Sequence, residues 1–210
     1  MSERGRQLNR YFFYIRYLPE DVNCEFLAGK CIRILHAYQT KFNLRSIGVS
    51  FPNWEQSSIG RTIAFVSESP HALTTLSQQN YFVQMTEEGY FSISVIQVLP
   101  DDQHYEELIY YRERRLEKES RSAKNRQLNR LLKRASESGI HYVPKSVVHK
   151  SVEVPFVHKL PFSSSSGAEF SLFVGRVDSG SRRPADFSSY GFGYRTVGNG
   201  TVPCLKTLIY

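Results

Sequence analysis

Six histidines, a run of four serines and a dense block of cationic side chains are the groups best suited to chemistry in this 210-residue chain. The histidines are His36, His71, His104, His141, His149 and His158. None forms an HxH or HxxxH pair, the spacing that brings two imidazoles to one ion, so no metal site and no cofactor is expected. His36 falls about 180° from an apolar helical stripe of Leu27, Cys31, Ile34 and Tyr38, and so points away from the core that the stripe builds. An imidazole placed there can take or give a proton near neutral pH, although most exposed histidines do nothing. The serine run, Ser163-Ser164-Ser165-Ser166-Gly167, reads first as a flexible loop. The alternative is a set of hydroxyls that hold a ribose 2′-OH or a phosphate oxygen. No GxSxG pattern surrounds it, which argues against a hydrolase nucleophile.

The cations are concentrated. The chain carries a net charge of +7 and a pI near 9.3. Residues 111–135 hold ten Lys/Arg and three Glu, which accounts for the whole excess. Such a block favours a polyanion: nucleic acid, an anionic membrane or an acidic protein. At about 100° per residue, Arg126, Arg130, Lys133 and Arg134 share one helix face, with Leu128, Leu131 and Leu132 on the other. The leucines are expected to pack on the body and leave the cations outside. A solvated helix with Glu–Lys pairs fits the first turns, where Glu113, Glu117 and Glu119 lie. No acid occurs over 120–135, and that stretch suits the phosphates flanking an RNA major groove. No apolar run approaches the length that crosses a bilayer, and the first ten residues are polar, so neither a membrane nor a leader is expected. Cys24, Cys31 and Cys204 form no CxxC pair and read as free thiols, which suits a reducing cytoplasm.

These groups need a scaffold. Residues 1–10 read as a tail. Strands are expected at 11–18, 47–51, 61–66 and 90–99, and helices at 21–38 and from Ser69 through Leu76, where Pro70 suits a first turn. Residues 81–85 are apolar and of open type. The order βαββαβ is the ferredoxin-like split βαβ arrangement, which RNA-recognition modules share with many unrelated proteins. Beyond a boundary near 104, a charged helix over 112–135, a polar connector over 136–150, strands at 152–157 and 170–174, and a Gly/Ser-rich segment over 178–200 are expected. The fold class is α+β, with a ferredoxin-like domain over 11–104 and a C-terminal α/β RNA-binding domain with an arginine-rich helix over 105–210.

Several ordered features resemble one family. His36 is followed by Ile47-Gly48-Val49-Ser50-Phe51-Pro52. The basic helix ends in Arg130-Leu131-Leu132-Lys133-Arg134. Pro155-Phe156-Val157, the serine loop, Gly167 and Phe170-Ser171-Leu172-Phe173 come next, then Tyr190-Gly191 and Gly200-Thr201-Val202-Pro203. Together these resemble the CRISPR repeat-processing endoribonuclease of type I-F systems. Tyr81-Phe82-Val83-Gln84-Met85, with Tyr90-Phe91, resembles the branch encoded beside transposons.

The resemblance implies an enzyme that binds the repeat stem-loop and cuts at its 3′ base without a metal, leaving a 2′,3′-cyclic phosphate and a 5′-OH. It implies that the protein then stays on the crRNA as a subunit of the surveillance complex. The partners would be the other subunits and, for the transposon branch, transposition proteins. His36 matches the family's catalytic histidine, Ser163 and Ser165 the serines that hold the ribose, and Tyr190 the tyrosine that orients the histidine. Arg126, Arg130, Lys133 and Arg134 match the groove-inserted helix, and Phe170 an aromatic that stacks on RNA. Base reading falls to Arg112 and Arg114, with Arg115 as the alternative register. Two rival classes remain: a hairpin-RNA anchor that does not cut, and a ribosomal-type RNA-binding protein.

Overall fold

The computed structural model describes residues 9–100, 104–119, 121–139, 156–163, 169–197 and 199–209. Strand β1 (Tyr11–Tyr17) is aromatic and β-branched, and lies between β3 (Thr62–Ser67) and β4 (Phe91–Ile93) in an antiparallel sheet of order β2-β3-β1-β4, with β2 at Gly48–Ser50. That order is the ferredoxin-like one. Helix α1 (Cys24–Lys41) starts at Asn23, whose side chain accepts a hydrogen bond from the Phe26 amide at 2.8 Å. Helix α2 (Pro70–Ser77) is capped by Ser69 in the same way, with Pro70 in its first turn as expected.

Two expectations change in this half. The open run at 81–85 is helical, within α3 (Asn80–Glu87), with Phe82 buried and Val83 turned outward. The strand expected at 90–99 is two short strands, β4 and β5 (Gln97–Val98), which pair with opposite ends of β1. Between them the Ser94 hydroxyl accepts from the Tyr14 amide at 3.0 Å. A serine side chain that competes for a ladder amide locally disrupts the strand.

The second sheet has order β7-β8-β6-β9 and is also antiparallel, built from β6 (Glu107–Arg112), β7 (Val157–Ser163), β8 (Glu169–Asp178) and β9 (Val202–Pro203). Strand β6 has no counterpart in the sequence reading, and Arg112, expected to open the charged helix, closes that strand instead. The helical stretch is two pieces, α4 (Arg114–Glu119) and α5 (Arg121–Glu137). The strand expected at 152–157 begins at Val157 in the described chain and runs on past Pro161; residues 140–155 lie outside the described residues. The protein is an α+β fold with two antiparallel sheets.

Helix α1 joins the two sheets. Its buried residues include Leu27, Cys31 and Tyr38 but also Ala28, Ile32, Leu35 and Gln39, a much broader arc than the expected stripe, and Ile34 is only half-buried. The far side of α1 packs on β7, so closely that a Cβ on Gly29 would lie 2.3 Å from the Pro161 carbonyl oxygen. Buried side chains from both sheets form one cluster, including Phe12, Leu35, Phe65, Leu160, Leu172 and Phe192. A bidentate ion pair, with Arg10 Nη1 donating to Glu107 Oε2 at 2.9 Å, ties β1's entry to β6.

Gly29→Ala would stabilise an isolated helix by about 1 kcal/mol. Here the added methyl meets backbone, and overpacking of this kind costs about 1–3 kcal/mol. The urea midpoint of Gly29→Ala is therefore expected to fall; a rise would show that α1 and β7 do not pack this closely.

Candidate functional site

The broad burial of α1 sets the environment of His36. The side chain does point away from the ferredoxin-like sheet, but it is not exposed. It is half-buried at the edge of the helix's second packed face, against the segment that carries Tyr190. The two rings stack with centroids 4.1 Å apart and planes 1° from parallel. The imidazole Nδ1 is buried and has no hydrogen-bond partner among the described residues. Burial lowers the imidazole pKa below its ordinary 6.5; the Ser189 backbone opposes this, and the charges of Arg45 and Arg112 add to the lowering.

Tyr190 is held by its neighbours in the chain. Gly191 adopts φ +78°, and a Cβ there would lie 2.6 Å from both Leu35 and Val49 side-chain carbons. Only glycine takes this conformation readily against such a wall. The Gly191 carbonyl accepts from the Val49 amide at 3.0 Å. Gln39, fully buried one turn beyond His36, donates to the carbonyls of Ile47, Ser188 and Ser189, each at 3.3 Å. One amide side chain thus pins the tyrosine segment to the histidine's helix. Sequence reading missed Gln39, because a polar residue in a helix reads as surface; its only signal was its spacing of three from His36.

The Tyr190 ring also meets Phe162 edge-on at 5.6 Å and the Arg112 guanidinium at 5.2 Å. Phe162 in turn packs on Phe170, with centroids 5.1 Å apart. His36, Tyr190, Phe162 and Phe170 therefore form a chain of ring contacts from α1 to β8. Ser163 ends β7 opposite Glu169, and its Oγ accepts from Arg33 Nη1 at 3.2 Å. Arg33, one turn before His36, was also missed. Ser165 lies outside the described residues.

The three arginines expected from sequence to read bases differ in how they are held. Arg112 donates from Nε and Nη2 to the Glu117 carboxylate at 2.6 and 2.7 Å. Arg115 grips Glu113 at 2.9 and 2.8 Å, and this holds the Glu113 carboxyl below its usual range. Arg114 is exposed and forms no ion pair among the described residues. Together with Tyr190, Tyr194 and Arg195, the three arginines line a cleft of about 640 Å³. Arg195 went unnoticed in the sequence because, in a Gly/Ser-rich segment, it has no cationic neighbour within ten residues.

Along α5, Arg130, Lys133 and Arg134 are all exposed, with the Lys133 ammonium 3.9 Å from the Glu137 carboxylate. Arg126 lies in the same helix, and its side chain falls outside the described residues. The leucines do not pack on the body as expected: Leu128 and Leu131 are half-buried and Leu132 is exposed. The helix packs against α4 and leaves these cations exposed. Among the described residues, no three His, Cys, Asp or Glu side chains gather where they could hold a metal ion. No helix among them is long and apolar enough to cross a membrane.

The chain is therefore an α+β scaffold that carries an exposed basic helix and an imidazole stacked on tyrosine. Over residues 12–204 the chain matches the family model of the CRISPR-associated protein Cas_Csy4, and it belongs to that family. It is thus a CRISPR-associated RNA-processing protein whose RNA is the CRISPR repeat. No curated protein matches the chain.

Proposed function

We propose that this protein is a metal-independent endoribonuclease that cuts the CRISPR repeat at the 3′ base of its stem-loop and remains on the product as a subunit of the type I-F surveillance complex. The observation that carries the reading is the His36–Tyr190 stack: a half-buried imidazole held flat against the tyrosine ring. In this reading α5 seats the stem through Arg126, Arg130, Lys133 and Arg134, while Arg112, Arg114 or Arg115 reads base edges in the adjoining cleft. Phe170 stacks on the RNA near the stem. Ser163 and Ser165 hold the ribose so that its 2′-OH lies in line with the scissile phosphate.

Neutral His36 takes the 2′-OH proton. The 2′-oxygen attacks the neighbouring phosphorus, the bond to the 5′-oxygen breaks, and that oxygen takes a proton from solvent to leave as a 5′-OH, while the imidazolium returns its proton to solvent. The other product end is a 2′,3′-cyclic phosphate. The nucleophile belongs to the substrate, so no water has to be activated.

The test is incubation with the protein's own repeat RNA in EDTA. A shortened product with a cyclic phosphate end supports the enzyme. Tight binding without product would make the protein a hairpin anchor instead.

The direction of the His36 pKa fixes a second expectation. A general base must be neutral, and burial keeps this imidazole neutral to lower pH than usual. Single-turnover cleavage, with protein in excess over RNA, is therefore expected to be level above pH 6.5, and to fall as the pH drops through a midpoint below that ordinary value. A rate that falls with rising pH across this range would make His36 the acid rather than the base.

A further inference from the structure

A second depression lies on the other side of Ser163. It is a groove of about 400 Å³ between α1 and the β7–β8 edge. Its α1 wall carries Phe26, Gly29, Lys30 and Arg33, spaced at three and four residues so that they share the face that leads up to His36. Its sheet wall carries Lys159, Ser163 and Phe170. Lys30, Arg33 and Lys159 face one carboxylate, Glu169, so the groove is cationic. Two aromatic surfaces open onto it. Phe26 is 44% exposed under the Lys30 ammonium, 4.9 Å from its ring centre, and Phe170 is half-buried. From His36 to Lys30 the groove's helix wall advances about 9 Å.

Cations along a track, with aromatic faces beside them, are the means by which proteins hold an unpaired strand without reading its sequence. The groove also begins at Ser163, the hydroxyl that holds the ribose at the cut in the proposed reaction. The geometry points to this groove as the binding site for the unpaired RNA that continues on the 3′ side of the cleavage site. Lys30 and Lys159 hold its phosphates, and Phe26 stacks a base. Arg33 stands at the mouth and steers both the strand and Ser163. The inference rests on the endonuclease reading, since that reading supplies the position of the cut.

Two forms of the repeat RNA test it. One ends at the cut; the other continues for six unpaired uridines and carries a 2′-deoxy nucleotide at the cut so that it stays intact. Wild type is expected to bind the extended RNA about tenfold more tightly at 50 mM salt, with the advantage shrinking at 200 mM. The Lys30→Ala/Lys159→Ala double variant should bind the shorter RNA as wild type does, and lose all but about twofold of the advantage. Equal wild-type affinities would overturn the inference and leave the groove to a protein partner. So would a double variant that keeps the advantage. A wild-type protein that binds neither RNA would instead overturn the functional reading itself, and the groove with it.

Discussion

His36→Ala is expected to lower the single-turnover rate of repeat cleavage by about 10²–10⁴-fold, the usual contribution of a positioned acid or base. Its affinity for the repeat should stay within about twofold of wild type. The separation follows from where the side chain sits. His36 belongs to α1 and stacks on Tyr190, so its removal takes no cation from α5. Nor should it unfold the chain, because the ring is only half-buried, at the edge of the core. Tyr190→Leu should give a smaller loss of rate: the imidazole remains but is no longer held flat. Parallel losses of rate and affinity in His36→Ala would show that the histidine binds RNA rather than acts on it.

The second large effect concerns α5. The triple substitution Arg130→Ala, Lys133→Ala and Arg134→Ala is expected to weaken repeat binding on the order of 10²-fold near physiological salt. It should also reduce the slope of log affinity against log salt by about 3, one for each phosphate that the helix no longer neutralises. All three side chains are exposed, and the leucines beside them are at most half-buried, so the core is untouched and the thermal midpoint should hold. A lower affinity with an unchanged slope would mean that these cations do not meet phosphates.

Much of the scaffold was legible in the sequence because local signals agreed with tertiary ones. The aromatic and β-branched run Tyr11–Tyr17, the Ser69 cap and Pro70 each mark their elements without help from the rest of the chain, whereas the helix expected from Asp21 starts at Cys24 behind the Asn23 cap. Strand β6 was invisible for a physical reason. Glu107 through Tyr111 are all buried, so no inside–outside alternation remains, and its charged end merges into the basic stretch that follows. Helix α1 was placed, but its second packed face was not. That face consists of Gly29, half-buried Arg33, His36 and buried Gln39, none of which reads as apolar. The same gap hid the site. A helix buried on one stripe leaves His36 facing water, whereas a helix buried on two faces leaves it against Tyr190. The position of Tyr190 depends on Gly191 fitting between Leu35 and Val49, a meeting of distant parts of the chain that no local pattern encodes.

The most direct measurement uses repeat RNA with a single 2′-deoxy nucleotide immediately 5′ of the cut, incubated with wild-type protein in EDTA. If the ribose hydroxyl is the nucleophile, the modified RNA should bind as tightly as the natural repeat and stay intact, while the natural repeat is cut under the same conditions. Cleavage of the modified RNA at the same bond and a comparable rate would mean that something other than the 2′-oxygen attacks, and His36 would lose its role as the base.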